Sequence, residues 1–194
     1  MSLIHKKGQQ GVSLIEVMVA VFVLAVGILG IIGLQLLAKQ NSYDAIQRTT
    51  ASWLATTIIE RMRANPSALD SYAGSLEPIT MQVPGLPDRC TAPCSPEQIA
   101  EYDLAYWQNM LVGAAQMDSD NVTFGGLIAP SACITVEPVT GDDGFDVTVA
   151  IAWRGRSAIG DPLENDCGVI SVDSPYGDSN EFRRVMWIDA RILE

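Results

Sequence analysis

An uninterrupted apolar run of 18 residues, from Val17 to Leu34, constrains this 194-residue chain more than any other feature. The run contains no charged and no strongly polar residue. As a helix it extends roughly 27 Å, close to the thickness of a bilayer core. A cleaved secretory signal has a shorter apolar region of about 7 to 15 residues, with the small-residue cleavage site after it. The run therefore predicts the membrane-spanning half of a helix, which we place at residues 12–36.

One carboxylate, Glu16, stands directly before this run. A charge near hydrocarbon costs about 2.5 to 3.5 kcal/mol on insertion scales, so a cationic partner is expected. The small residue Gly11 lies before the run, and a cut after it creates a cationic amine at Val12, one helical turn from Glu16. The alternative interpretation is that Glu16 only complements the dipole at the start of a helix.

Gly11, the following residues VSLIE and the long apolar run resemble the class III signal of type IV prepilins and pseudopilins. The resemblance implies that residues 1–11 are a leader peptide, which a prepilin peptidase removes by cutting after Gly11. It also implies a new amino terminus at Val12, usually N-methylated, and a contact between Glu16 and the amino terminus of a neighbouring subunit during assembly. The family usually has Phe at the position of Val12, so this chain departs from the pattern there.

Charge indicates where the rest of the chain lies. Lys6 and Lys7 precede the run and place the amino end in the cytoplasm by the positive-inside rule, so we expect a periplasmic globular domain at residues 66–194. Removing both lysines with the leader takes the 12 basic residues to 10 against 23 acidic ones, so the net charge moves from −11 to −13. An acidic surface argues against a nucleic-acid partner.

Four cysteines, an even number, follow the run at Cys90, Cys94, Cys133 and Cys167. Disulfides persist in an oxidising envelope compartment, and four cysteines allow three pairings. We favour Cys90 with Cys94, which closes a tight loop, and Cys133 with Cys167, which joins a strand to a later loop. A zinc site built from all four is the alternative, although the spacing lacks a second C-x2-C knuckle.

The helix is predicted to continue, now amphipathic, over residues 37–65 and to end at Asn65-Pro66. The total from Val12 to about Ala64 is 53 residues or roughly 80 Å. The predicted core stripe comprises Tyr43, Ile46, Thr50, Trp53, Leu54, Thr57, Ile58, Arg61 and Met62. Three glycines, Gly27, Gly30 and Gly33, recur at every third position and indicate close helix packing in a membrane, a segment that unwinds or extends, or both.

Patterns in the second half of the chain predict a second helix and an antiparallel sheet. Ser95-Pro96-Glu97-Gln98 predicts a capping box opening a helix at about 96–112, with Gly113 as its stop. A short strand is expected after Ala132, at 133–139, and residues 145–153 alternate as a half-buried strand. A last strand at 183–192 completes the sheet, after a long acidic loop at 157–182. The apolar face of the second helix is predicted to comprise Ile99, Tyr102, Tyr106, Trp107 and Met110.

Longer motifs narrow the resemblance. GILGIIGLQ at 27–35 followed by ERMRANP at 60–66 is similar to the PilV family of type IV pilus minor pilins, and CTAPCSPEQIAEYDLAYWQ at 90–108 is similar to its cysteine loop and following helix. The resemblance implies a type IV pilin-like α+β fold, with the long helix packed on the sheet. It also implies a minor pilin that helps initiate pilus assembly, is incorporated in or at the tip of the filament, and supports piliation and twitching motility. The implied partners are other minor pilins in an initiation complex, the major pilin, a tip-associated adhesin and the prepilin peptidase.

Catalysis and cofactor binding have little support in the sequence. The only histidine, His5, belongs to the predicted leader, which excludes Ser-His and Cys-His nucleophile schemes from the mature chain. Asp142, Asp143 and the acids near Asp161 do not fit a twelve-residue calcium loop, so we interpret them as solvated charges, with calcium as the alternative. The sequence predicts no enzyme, no cofactor and no metal. A pseudopilin at the tip of a type II secretion pseudopilus is the second candidate, and an enzyme on a signal anchor is the third.

Overall fold

A computed structural model describes residues 11, 13–76, 93–113, 125–141 and 143–193. The chain divides into two units, Met1–Tyr43 and Asp44–Glu194, and each is described by itself. The boundary falls inside the first helix, so residues 44–64 of its amphipathic half belong to the larger unit.

The first helix, α1, is continuous from Leu14 to Ala64. It opens at Ser13, whose carbonyl accepts hydrogen bonds from the amides of Glu16 and Val17 at 3.0 and 3.3 Å. It ends as predicted before Asn65-Pro66, because proline disfavours a helical conformation in the preceding residue. A 3-10 helix, Pro66–Tyr72, follows directly and was not predicted.

Four antiparallel strands form one sheet in the order β1-β2-β3-β4. They span Gly74–Leu76, Ser131–Pro138, Gly144–Arg154 and Arg183–Leu193. The last three were predicted within two residues at each end, whereas the three-residue β1 was missed. β2 and β3 form a hairpin, closed by a 2.9 Å hydrogen bond from the Val139 amide to the Gly144 carbonyl.

The second helix, α2, spans Pro96–Leu111, close to the predicted 96–112. The capping box is present: the Ser95 hydroxyl accepts from the Gln98 amide at 3.3 Å, and the Gln98 side chain accepts from the Ser95 amide at 3.0 Å. Gly113 follows with φ +76°, the left-handed conformation that favours glycine after a helix.

One hydrophobic core lies between the last part of α1, α2 and one face of the sheet. Its members include Leu54 and Ile58 of α1, Trp107 of α2, and Val149 and Ile151 of β3. The indole nitrogen of Trp107 donates to the Leu54 carbonyl at 2.9 Å, so even the polar atom of this large side chain is satisfied. This arrangement confirms the predicted α+β fold, a long helix packed on an antiparallel sheet.

The predicted core face of α1 was partly wrong. Leu54, Ile58 and Met62 are buried as expected, but Ile46 and Trp53 are each 58% exposed. The core instead takes Ala51 and Ala55, both fully buried, together with Gln47 and Ile59. Small side chains allow a helix to approach its neighbours closely, and a prediction from apolar spacing alone ranks them below Ile and Trp.

The predicted face of α2 was partly wrong: of its five residues, Trp107 is in the core and Met110 packs against it. Its buried positions are Ala100, Asp103, Trp107, Asn109 and Leu111. Tyr102, Tyr106 and Met110 are half-buried, and Ile99 is 40% exposed. The helix is rotated from the predicted orientation because the acid Asp103 faces inwards, where an arginine and a tyrosine satisfy it.

The segment from 155 to 182 contains no helix or strand, as predicted for a loop. Its anchor is Arg183, whose side chain is fully buried and donates to the carbonyls of Pro162, Asn165 and Cys167 and to the Asp161 carboxylate. The distances are 2.8 Å to Asn165, and 2.7 Å to both Cys167 and Asp161. These contacts hold the loop, hereafter the covering loop, against one part of the outer face of the sheet.

This covering corrects the prediction of a half-buried β3. The strand alternates near its start, but Ala150 and Ala152, on its outer face, are buried as well. Cys167 contacts the Ala150 carbonyl, and a Cβ on Gly168 would approach the Ser131 side chain to 2.9 Å. The loop packs closely enough to remove this part of the outer face from water.

Candidate functional site

The predicted processing and assembly residues lie at the amino end of α1. Gly11 is exposed immediately before the helix, and Val12 lies outside the described residues. Glu16 occupies the first helical turn, where a carboxylate complements the dipole. It is exposed, and within the described part of the chain it forms no ion pair. The carboxylate is therefore available to a cation from another chain.

The helix that follows Glu16 has no apolar partner among the described residues of its unit. Every described residue from 13 to 42 is exposed, although the segment includes an 18-residue window of mean hydropathy 2.9. By length and composition this helix can cross a membrane. Exposed apolar area costs about 25 cal/mol per Å² in water, so lipid or other subunits must cover this surface.

The three glycines lie within this continuous helix. A Cβ added to Gly27, Gly30 or Gly33 would meet nothing within 4 Å. No contact with the described part of the chain requires glycine at these positions, which leaves packing against other helices or the stability of the segment itself as their role. Each glycine weakens a helix by about 0.5 to 1 kcal/mol relative to alanine.

The RMRANP segment forms a polar junction at the other end of α1. Arg61 is ion-paired with the buried Asp103 of α2 and lies 4.8 Å from the centre of the Tyr106 ring. The Tyr72 hydroxyl donates to the second oxygen of Asp103 at 2.9 Å. Asn65 donates to the Pro96 carbonyl at 2.7 Å and to the Tyr72 hydroxyl at 3.3 Å. The motif therefore joins α1, the 3-10 helix and α2.

The buried hydroxyl of Tyr72 titrates abnormally in this junction. Burial, reinforced by the hydrogen bond to Asp103 and the negative charge of that carboxylate, raises the pKa of Tyr72 to about 12. The hydrogen bond from Asn65 and the nearby Arg61 act in the opposite direction. The neutral hydroxyl is the form that the junction requires, because it donates to Asp103.

A disulfide joins Cys133 of β2 to Cys167 of the covering loop, with 5.8 Å between their Cα atoms. This is the pairing that the sequence favoured, and it excludes a zinc site made of all four cysteines. Cys94 is also disulfide-bonded. Its expected partner Cys90 lies outside the described residues, so that pairing stays a prediction.

The acids of the covering loop do not converge on a metal site. Asp161 is ion-paired with Arg183, which corrects its interpretation as a solvated charge, while Glu164 and Asp166 are exposed. Within the described ranges there is no group of three histidine, cysteine or carboxylate side chains that could hold a metal.

Two family models match adjacent parts of the chain. The prokaryotic N-terminal methylation motif matches residues 6–32, which contain Gly11, Val12 and Glu16. The family described as type IV pilin Tt1218 matches residues 33–105, which contain the RMRANP junction and the start of α2. No curated protein and no solved structure matches the chain. Together with the long exposed helix and the four-stranded antiparallel sheet, these two matches support the type IV pilin superfamily, whose members are structural proteins.

Proposed function

We propose that this chain is a minor pilin, which helps initiate type IV pilus assembly and is incorporated in or at the tip of the filament. The observation that carries the proposal is the combination at the start of α1. An exposed acid without an ion-pair partner in the described chain stands before a membrane-length helix whose apolar surface is exposed all round. A solitary globular protein has no use for such a surface, whereas a subunit that moves from lipid into a filament does.

Processing prepares this end of the helix. Prepilin peptidase cuts after Gly11, and the new amine at Val12 is a substrate for N-methylation, in agreement with the matched methylation motif. The cationic amine of one subunit then meets Glu16 of its neighbour. In lipid, or at a dry interface, leaving either charge without the other costs several kcal/mol, on the order of 3 to 5. The pair thus selects the axial position at which helices associate.

Location follows from the same helix. Before assembly, α1 anchors the chain in the inner membrane as a single pass, with the globular domain in the periplasm. After assembly, the chain belongs to the pilus, where its partners are other minor pilins, the major pilin and a tip-associated adhesin. The minor role, with its support of piliation and twitching motility, rests on the resemblance of RMRANP and the cysteine loop to the PilV family.

A pseudopilin of a type II secretion system is the second candidate. It is favoured by the same processing segment, because both classes use the glycine, the acid and the apolar helix. The two proposals differ in where the mature chain is found, since only a pilin enters long surface filaments.

The test combines a processing variant with filament isolation. In the wild type, we expect mass spectrometry of sheared surface filaments to find the chain starting at Val12. Gly11→Val should leave the leader attached, because the peptidase reads that small residue, and the uncut chain should stay in the membrane. Gly8→Val, which changes another leader glycine, is the matched control and should be cut normally. Recovery of mature chain from Gly11→Val would show that the peptidase does not cut after Gly11. Absence of the wild-type chain from filaments would reject the pilin role.

A further inference from the structure

The two edges of the sheet differ in how they are protected. At one edge, β2 is paired with the short β1 and contains Pro138. At the other edge, β4 pairs with β3 over 11 consecutive residues without a bulge, and no described residue pairs with its outer side. β4 contains no proline and no lysine, and its centre, 185–188, carries no charge. Natural proteins usually protect such an edge with charges, proline or a bulge, since its unpaired backbone groups can accept another strand.

The hydrogen-bond pattern shows which backbone groups of β4 are open. The Gly155 amide donates to the Phe182 carbonyl at 2.8 Å, and this pair lies one step beyond the Arg154–Arg183 pair at the end of the ladder. In an antiparallel pair, bonded and non-bonded positions alternate. The even-numbered residues of β4 therefore bond to β3. The amides and carbonyls of Val185, Trp187 and Asp189 point away from the sheet, with no hydrogen bond to other described residues.

The other side of β3 gives an independent check of this pattern. The Arg154 amide donates to the Ile128 carbonyl at 2.8 Å, and the Gly144 carbonyl accepts from Val139. Both partners belong to the β2 side, so even-numbered residues of β3 bond to β2 and odd-numbered ones to β4. This is the alternation that the bond between Gly155 and Phe182 requires.

A groove of about 470 Å³ follows the open edge. Its floor includes three consecutive residues of β4, Val185, Met186 and Trp187. Successive side chains of a strand point to opposite faces, so a cavity that touches all three lies at the edge, in line with the sheet. Arg48 and Ser52 of α1 form one wall, and Glu164 of the covering loop contributes to the other. The groove thus has the position and the walls that an added strand needs.

The walls carry opposite charges that no described residue neutralises. Neither Arg48 nor Glu164 forms an ion pair with any described residue. The two lie on opposite faces of the sheet plane, one on the helix and the other on the loop. An added strand would present alternate side chains to these two walls. An acid facing Arg48 and a base facing Glu164 would therefore be separated by an odd number of positions.

We propose that the open edge of β4 binds an extended segment of a different pilus subunit as a fifth strand, with an acidic side chain against Arg48 and a basic one against Glu164. The inference rests on the proposed function, which supplies the neighbouring subunits. Main-chain hydrogen bonds to Val185, Trp187 and Asp189 hold the segment. The two charged walls give specificity for segments with an acid and a base at the matching positions.

A second copy of the chain is disfavoured as the occupant. Two copies paired through β4 would be related by a two-fold axis normal to the sheet. That axis reverses the direction of one α1 relative to the other, because α1 packs on the sheet face. Membrane anchoring gives both helices the same direction. The negative net charge, −11 before the two leader lysines are removed and more negative after it, also opposes close approach of identical chains.

The test uses the full chain in cells that assemble pili. A photo-cross-linking residue, p-benzoylphenylalanine, replaces Trp187, which is 38% exposed at the groove, and in a control strain it replaces Thr135, exposed on β2. We expect an adduct from position 187 and not from 135. Mass spectrometry should place it in an extended segment of another subunit, with an acid and a base separated by an odd number of positions.

Variants of the edge show whether backbone pairing holds the segment. Val185→Pro deletes one outward amide and leaves the bonds to β3 intact, so we expect the adduct to fall about tenfold or more. Val185→Thr is the matched control, since it retains the amide and β-branching, and should keep the yield. If Val185→Pro fails to fold, Arg48→Glu and Glu164→Lys test the proposal instead. Each substitution sets two like charges opposite each other, one on the groove wall and one on the bound segment, and should reduce the adduct yield.

Three results would overturn the proposal: no adduct at position 187, an adduct with a second copy of the same chain, or equal yields in folded Val185→Pro and Val185→Thr proteins. Filaments and membranes are analysed separately. A chain that enters filaments without a Trp187-site adduct refutes the edge inference and leaves the proposed function intact. A chain absent from filaments refutes the proposed function. The adduct yield at position 187 in membranes then still tests whether the β4 edge binds a strand.

Discussion

The two halves of α1 have opposite relations to the rest of the chain, although they form one continuous helix. Every residue from 13 to 42 is exposed. Between Asp44 and Ala64, seven residues are buried against the core: Gln47, Ala51, Leu54, Ala55, Ile58, Ile59 and Met62. The apolar half is the exposed one, and the half with more charges is the one that packs.

This difference shows that the two halves of α1 lie in different surroundings. A helix that is apolar on all sides requires cover on all sides, which lipid or a ring of neighbouring helices can supply. A helix with a single buried stripe needs cover on one side only, which α2 and the sheet provide here. The composition of each half therefore reports where its partners are: outside the chain for the first, and inside it for the second.

The largest expected effect comes from the same substitution made in both halves. Leu54→Ala should destabilise the globular domain by about 2 to 5 kcal/mol, because it removes buried apolar atoms and leaves a cavity. Leu29→Ala should leave that stability unchanged, since Leu29 is exposed in the other unit. Urea unfolding of the full chain in detergent, followed by tryptophan fluorescence, measures both. A similar loss from Leu29→Ala would contradict the division between the halves.

The disulfide tests how far the second half depends on its covering loop. Replacing Cys133 and Cys167 together with alanine should cost about 3 to 4 kcal/mol, because the bond closes a loop with a sequence separation of 34. The same unfolding assay measures the loss. Membrane insertion of the first half should stay at the wild-type level, and a membrane defect in the double variant would show that the two regions are not independent.

The RMRANP junction supplies a smaller, pH-dependent test. An unfolded tyrosine loses its proton near its ordinary pKa of about 10, whereas folded Tyr72 keeps it to about 12. Between these values the folded state binds more protons, so its stability should be complete below pH 10 and fall as pH rises towards 12.

Tyr72→Phe is the control for this effect. It should lower stability at neutral pH by leaving an oxygen of Asp103 without its donor, and its unfolding free energy should depend less on pH above 10. An identical pH dependence in both proteins would show that Tyr72 is not the titrating group.

Much of the fold was predictable because its signals are local. The capping box at Ser95 and Gln98, the stop at Asn65-Pro66 and the alternation in β3 depend on neighbours in sequence, and each element formed where expected. The buried faces of both helices were less predictable, because they depend on tertiary pairs. Asp103 looks like a surface residue until Arg61 and Tyr72 are found beside it.

The covering loop shows the same limit. Arg183 lies in a predicted strand, and nothing near it in sequence indicates that it binds carbonyls some 20 residues earlier. At the candidate site the situation is different: Gly11, Val12 and Glu16 were named from the sequence, but their roles concern a peptidase and a second subunit. A single chain shows only that Glu16 is exposed and free to meet them.

The most direct test of the central claim compares two acids of α1, one in each half. Glu16→Gln keeps the size and hydrogen bonding of the side chain and deletes the charge that would meet a neighbouring amine. Glu60→Gln makes the same change in the second half, where Glu60 is exposed and only weakly paired with Arg63 at 3.7 Å. Immunoblots of sheared filaments, compared with blots of membranes, measure incorporation. We predict that both variants are cut and held in the membrane, that Glu60→Gln enters filaments like the wild type, and that Glu16→Gln is strongly depleted from them. Wild-type incorporation of Glu16→Gln would show that this acid is only a helix-start residue and would contradict the account.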